Sequence, residues 1–489
     1  MKSQRACIVL LLNVLTLTVL CVSDKALRAE NERAALASLQ VSPATIQLSS
    51  RRSAVQLLVT GTLVNGRQVD LTRDARYQVQ DAGLLQVTRG RVTAVANGET
   101  RLTINVGDHL TTIPVAILGT EHADPVSFQY ETLAVITKQG CNAGSCHGSP
   151  EGKGGFSLSL FAFDPEVDKR ALVRAGFNRR TNVYDPNQSL ILKKPLLRIP
   201  HVGGKRLRTD DVAYRVLYDW IYEGARDDAA GRATCTGIAI HPGPARILHA
   251  PDLRQQMRVT AHFSDGSSRD VTRIATYATS HKEVATVDAD GLVEGLQRGH
   301  SAITVRYLEH LESVDFTFCE TVAGFQWPAD EQPHNYVDKL VNARLQLLQY
   351  PPSPLCDDAT FLRRLYLDLT GLLPPAPDVE TFLSDDALNK RSRWIDRVLD
   401  SDEFPRFQAL RMADLLRVNP QVLTDGRARL FADWLARSMK QNMPFDKLVG
   451  QMLTSTGDSK LVPQTNYFAA IGTVQEVTEA TAQLFMGSR

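Results

Sequence analysis

Long apolar runs are missing from this 489-residue chain once its first two dozen residues are passed. A bilayer takes about 20 consecutive apolar residues to cross, so the mature chain is expected to have no membrane span. A dominant charge is missing too. The net charge is +1, and nothing in that balance points to nucleic acid or an anionic membrane as partner. Cysteine is scarce: seven residues in a chain this long exclude a scaffold built on disulfides. Cys7 and Cys21 sit at the N-terminus, and Cys235, Cys319 and Cys356 are far apart, so only Cys141 and Cys146 are close neighbours.

Lys2 and Arg5 precede an apolar run from Ala6 to Val22, followed by small residues around Ser23. This is the pattern of a secretory signal peptide, residues 1–23, with an uncleaved anchor as the alternative. The mature protein is therefore expected in the periplasm or at the cell surface. Composition is that of ordinary globular protein, 43% hydrophobic and 22% charged. The length calls for several domains rather than one core.

The chain repeats itself. Val59, Thr60, Gly66, Asp70, Thr72, Arg73, Ala75 and Tyr77 all recur 200 positions later, from Val259 to Tyr277. A match of that length indicates a duplicated domain, here residues 40–119 and 235–322. Short alternating strands and the turns Asn65-Gly66 and Asp265-Gly266, with both turn positions suited to positive φ, suggest a β-sandwich of about seven strands in each copy. The D-x-T-x-x-A-x-Y stretches at Asp70–Tyr77 and Asp270–Tyr277 resemble the bacterial Ig-like group 2 family. That resemblance implies spacer or adhesion modules with possible envelope partners. Asp70 and Thr72 are expected to satisfy the backbone of their own turn.

Residues 124–230 differ in character. A helix over SFQYETLAVITKQG leads into GCNAGSCHG, and a helix over Asp210–Ala225 closes the segment, with Asp210 or Asp211 as its cap. Helix, cysteine–histidine loop, long loop, closing helix is the order of a class I cytochrome c. Two thiols can form thioethers to haem vinyl groups and place the next histidine under the iron. Four residues separate the cysteines here, where two are usual. A disulfide between Cys141 and Cys146 and a zinc site of two cysteines and two histidines also fit the pattern. Methionine, the common second haem ligand, is absent from residues 121–230. His122 precedes the first helix, which leaves His201, in RIPHVGGKR, as the candidate partner of His147.

The runs GCNAGSCHG, GKGGFSLSLFAFDP, PNQSLILKKP, PHVGGKRL and YDWIYEGA resemble the planctomycete-type cytochrome c-like surface proteins, and the likeness extends over nearly all of the mature chain. It implies one covalent haem c on Cys141 and Cys146, with His147 and His201 as axial ligands of the iron. Arg179, Arg180, Lys193, Lys194, Arg198, Lys205, Arg206 and Arg208 would then lie near haem propionates or an acidic redox partner, or form a solvated face. Trp220 and Phe156 read as core.

From residue 333 to 489 the periodicity is helical. FLRRLYLDLTGLLPP, RWIDRVLDS, NMPFDKLV and TAQLFMGSR resemble the helical domain of unknown function that follows in the same group, in a version cut short before a second cysteine–histidine motif. Arg363, Arg364 and Asp368 are expected to form an ion-paired face. The fold class expected is thus two all-β Ig-like sandwiches flanking an all-α cytochrome c-like domain, then an all-α domain. The function expected is haem-based electron transfer rather than catalysis, with a haem-free surface adhesion or scaffolding protein as the alternative.

Overall fold

The computed structural model describes residues 35–121, 124–329 and 331–487. The signal peptide, with Cys7 and Cys21, and His122 lie outside the described residues. The chain divides into two units, Met1–Pro352 and Ser353–Arg489.

In the first repeat ten strands make three small sheets, a β-sandwich-like module as expected but with more strands than the seven counted from sequence. One holds β1 (Leu36–Ser42), β4 (Leu58–Leu63) and β5 (Gln68–Asp70). The second runs β2 (Ile46–Leu48), β10 (His109–Ile117), β9 (Gly98–Val106) and β6 (Arg76–Val79), with β2 parallel to β10. The third is β3 (Ala54–Gln56), β8 (Arg91–Ala94) and β7 (Leu85–Thr88). Strands of three or four residues carry too little alternation to be counted from sequence. Leu102, Ile104, Ile113, Val115 and Ile117 alternate inward from β9 and β10 and fill the core.

The second repeat follows the first strand for strand. Its sheets are β11 (Cys235–His241), β14 (Arg258–Phe263) and β15 (Ser268–Asp270); β12 (Ala245–His249), β20 (His310–Cys319), β19 (Gly299–Tyr307) and β16 (Thr276–Thr279); and β13 (Arg254–Gln256), β18 (Leu292–Gly295) and β17 (Ala285–Val287). At the hairpins only the glycines take positive φ, +80° at Gly66 and +82° at Gly266. Asn65 and Asp265 contribute side chains instead, accepting from the amides of Arg67 and Ser267.

Asp70 and Thr72 do serve their own turn. Asp70 Oδ1 accepts the Thr72 amide at 3.0 Å, and Thr72 Oγ1 accepts that of Val59 at 2.9 Å. The other carboxylate oxygen reaches across to the second repeat. Asp70 Oδ2 accepts the Gln256 amide at 2.6 Å, and Asp270 Oδ2 accepts the Gln56 amide at 2.6 Å. The duplicated sequence thus forms a reciprocal contact with itself.

Residues 124–230 hold short helices and loops. The expected first helix is a π-helical turn, Phe128–Thr132, running into Leu133–Lys138, and the closing helix is Val212–Tyr222. The segment does not pack as a separate all-α domain. Its apolar side chains form one continuous core with those of the second repeat. Tyr307 donates its hydroxyl to the Tyr130 carbonyl at 2.7 Å, and Tyr130 meets Phe263 edge to face at 5.4 Å. Lys138 Nζ donates to the carbonyls of Ala275 and Ala289. On the other side, Glu223 takes the Val126 amide and the guanidinium of Arg52 in the first repeat. Asp211 starts the last helix without capping it, because its carboxylate accepts the Arg208 amide instead.

Helix Tyr336–Leu347 belongs to the first unit, where Arg344 donates to Thr317 Oγ1 at 2.9 Å. The second unit is helical, with its main core around Phe431, Leu435, Leu448 and Tyr467. Its helices include Pro420–Leu423, Asn466–Ile471 and Val474–Phe485. Arg363, Arg364 and Asp368 are exposed and form no ion pair among the described residues; Asp358 pairs with Lys390 and Arg391 instead.

Candidate functional site

The cysteine loop grows directly from the buried helix Leu133–Lys138. Leu133, Ala134, Val135 and Ile136 are each no more than 2% exposed, which fixes the helix end. Gly140 turns the chain at φ +71°, a conformation that costs glycine little. The amide of Cys141 returns to the Ile136 carbonyl at 3.1 Å. The extra residues between the cysteines fold into a compact turn. Cys146 and Gly148 both donate to the Ala143 carbonyl, and His147 donates to the Cys141 carbonyl at 2.9 Å. A Cβ on Gly148 would stand 2.0 Å from the Asn142 carbonyl oxygen, so the turn closes only on glycine.

His147 is aimed by its neighbours. Its Nδ1 donates to the Phe156 carbonyl at 2.9 Å, which leaves Nε2 as the free lone pair. Arg180 holds Phe156 in turn. Its guanidinium lies over the Phe156 ring at 4.5 Å and donates to the carbonyls of Gly155, Ala171 and Ala175. Phe156, expected in the core, is therefore part of the site. Trp220 is the core residue expected, stacked on Phe128 with centroids 5.3 Å apart.

His201 arrives from the loop between Pro195 and Leu207. Its Nδ1 donates to the Gly204 carbonyl at 2.9 Å, which again frees Nε2. Gly203 gives it room, since a Cβ there would lie 2.8 Å from the imidazole Cε1. The rings of His147 and His201 lie with centroids 6.5 Å apart and planes 9° from parallel. They border a cavity of about 650 Å3, together with Cys141 and Cys146. All four residues singled out from the sequence thus meet at one cavity.

The residues present fit a haem. Two metal–nitrogen bonds of about 2 Å, plus half of each ring, place imidazole centroids about 6 Å apart across one metal ion. The cavity walls are apolar at Ile136, Leu158, Ile191 and Leu217. Lys153, Arg179, Lys194 and Arg206 at its exposed rim could take two propionates. Burial lowers the pKa of His147, which favours the neutral, ligating imidazole.

Cys141 and Cys146 are not joined to each other. Burial, and then the neighbouring Cys146, pushes the Cys141 thiol up to about 11. Among the described residues, no three histidine, cysteine or acidic side chains converge tightly enough to hold a metal ion without a macrocycle. Several basic residues grouped with the site are ordinary surface. Arg208 pairs with Asp210, and Lys193 donates to Gln188.

Two parts of the chain match described families. Residues 236–306 match "Bacterial Ig-like domain (group 2)", and residues 336–488 match "Protein of unknown function (DUF1549)". Among curated proteins, Ice-binding protein 1 of Shewanella frigidimarina is 42% identical over 72 residues, 15% of this chain. The chain spans about 8% of that relative's length. Among solved structures, S-layer protein SbsC domains 5-6 align over 59% of this chain and 99% of that one, at 11% identity and a TM-score of 0.25. The SbsC domains 4-9 structure aligns over 59% of this chain and 32% of its own, at the same identity and TM-score. Superpositions this loose carry no structural argument.

Proposed function

We propose that this chain is an extracellular or surface-located protein that carries one covalently attached haem c for electron transfer. The observation that carries the reading is the near-parallel pair of imidazoles at one cavity, His147 and His201, each with Nδ1 tied to a backbone carbonyl and Nε2 left free. Cys141 and Cys146 would supply the thioether sulfurs, and the two histidines the axial nitrogens. The group would supply a one-electron couple, at a lower potential than a methionine–histidine pair would give.

The rest is done by the chain's own residues. Phe156 and Gly204 fix the histidine tautomers through their carbonyls. Ile136, Leu158 and Leu217 keep water from the cavity floor. The shared core with the second repeat holds the cysteine loop rigid. Two Ig-like modules joined to such a site suit presentation at a surface.

Export in a host with a cytochrome c maturation system tests this. The intact mass should rise by one haem, and Cys141→Ser with Cys146→Ser should remove the gain. An unchanged mass in folded wild-type protein refutes attachment.

The second reading is a haem-free surface scaffold or adhesin. The Ig-like match at residues 236–306, and the name of the ice-binding relative, support it. Folded, colourless protein would favour it.

A further inference from the structure

The two histidines are held by unequal means. His147 sits in a turn tied to several other segments. The Cys141 amide reaches back to the Ile136 carbonyl, the Leu158 amide donates to the His147 carbonyl at 2.7 Å, and the Phe161 amide donates to the Asn142 carbonyl at 3.2 Å. Asn142 is fully buried, and its side-chain nitrogen donates to Thr137 Oγ1 at 2.9 Å. The carbonyl that orients the imidazole belongs to Phe156, outside the turn, and Arg180 holds that residue from a further segment.

His201 has no such support. Among the described residues, every hydrogen bond made by residues 199–205 stays within residues 199–206. The Gly204 amide donates to the His201 carbonyl, the imidazole donates to the Gly204 carbonyl, and Arg206 Nε donates to the Gly203 carbonyl. The carbonyl that orients His201 therefore moves with it. No residue from Leu196 to Arg206 is buried. Only the ends of the loop are pinned, by buried Pro195 and Leu207, where the Arg206 and Leu207 amides donate to the Pro195 carbonyl. A segment bonded to itself and resting on no buried side chain opens at little cost while the core stays folded.

We propose that His201 is an exchangeable ligand, and that the space it vacates binds a small uncharged π-accepting diatomic molecule such as carbon monoxide. This rests on the haem reading above. The exchange breaks the bond from His201 Nε2 to ferrous iron and forms one bond from that iron to the incoming molecule. No electron or proton changes hands. The chemistry of the wall selects the ligand: the stretch that carries His201 also lines the cavity with Leu190, Ile191, Pro195, Pro200 and Leu207, which suits an uncharged molecule. His147 stays in place, because its turn cannot leave without breaking bonds to the buried helix. Ligand then enters only as often as the loop opens, and its affinity is reduced by the fraction of time the loop is closed.

The first test needs no haem. Hydrogen–deuterium exchange on the full exported chain should show the amides of residues 201–206 exchanging about a hundredfold faster than those of residues 141–148. The second adds carbon monoxide to the dithionite-reduced haem protein in a stopped-flow spectrometer. The rate should rise with carbon monoxide and then level off at the rate at which His201 departs. In His201→Ala it should stay proportional to carbon monoxide throughout. Pro200→Gly, which keeps the histidine and frees the backbone before it, should raise the plateau about threefold.

Equal protection of the two loops overturns the proposal whether or not haem is bound. A low-spin ferrous spectrum that carbon monoxide does not alter overturns it while the haem reading stands. A wild-type rate that never levels off also overturns it, since the position would then be open without His201 leaving. A colourless protein overturns both readings.

Discussion

The Asp270 carboxylate of the second repeat accepts the backbone amide of Gln56 in the first, at 2.6 Å, and Asp70 returns the same bond to Gln256. Each aspartate therefore closes its own turn with one oxygen and clamps the neighbouring repeat with the other. Both aspartates are half-buried, and desolvation of the carboxylates pushes both above their usual range.

Asp270→Asn should loosen the clamp. An amide cannot present acceptors to the Thr272 amide and the Gln56 amide at once, so one buried N–H loses its partner. The expected loss is about 1–3 kcal/mol, read as a lower midpoint for the first transition in urea. Asp70→Asn should behave alike, because the contact is reciprocal.

Gly148→Ala should block formation of the cysteine turn. The new methyl would fall on the Asn142 carbonyl, a backbone atom that cannot step aside. Haem content after export should drop sharply, while folding of the first repeat, monitored by protease resistance, should persist.

Gly203→Ala acts on the other histidine. The added carbon would press on the His201 ring, and the ring would lose its bond to Gly204. Haem should still attach through the cysteines, but with a high-spin fraction in its visible spectrum. Wild-type spectra from this variant would remove His201 as the second ligand.

Lys138 gives a pH dependence. Burial pushes its pKa down to about 8 from 10.5. Between those values the unfolded chain holds a proton that the folded chain has released, so the lysine's contribution to stability grows as pH rises through that window and is lost as pH falls back through 8. Lys138→Met should flatten the stability profile between pH 8 and 10.5. Parallel profiles would show that the lysine is not buried as described.

Much of this was legible in the sequence. The repeat was plain because eight residues recur at one fixed offset, and both copies fold with the same strand order. His201 could be singled out because few ligating residues occupy its segment, and it lines the same cavity as His147. The clamp between repeats was not legible. Asp70 looks like any turn aspartate, and the amide it reaches is backbone, which carries no residue signature. The shared core was hidden for a related reason. Leu133 to Ile136 are four consecutive apolar residues, all buried, and periodicity cannot say which neighbour covers each side. The carbonyls that aim the two histidines are equally invisible, although the glycines around them, at 152, 154, 155, 203 and 204, mark where backbone comes close.

The central claim is the proposed one, that His147 and His201 would together hold one haem iron. Their planes are 9° from parallel. Parallel imidazoles donate into the same iron d orbital, which lifts the degeneracy that crossed planes preserve. The measurement is the low-temperature EPR spectrum of the ferric, exported protein. The account predicts a rhombic low-spin signal with three resolved g values that vanishes in His201→Ala. A high-spin signal in the wild type, a single strongly anisotropic low-spin feature, or no haem signal at all would contradict it.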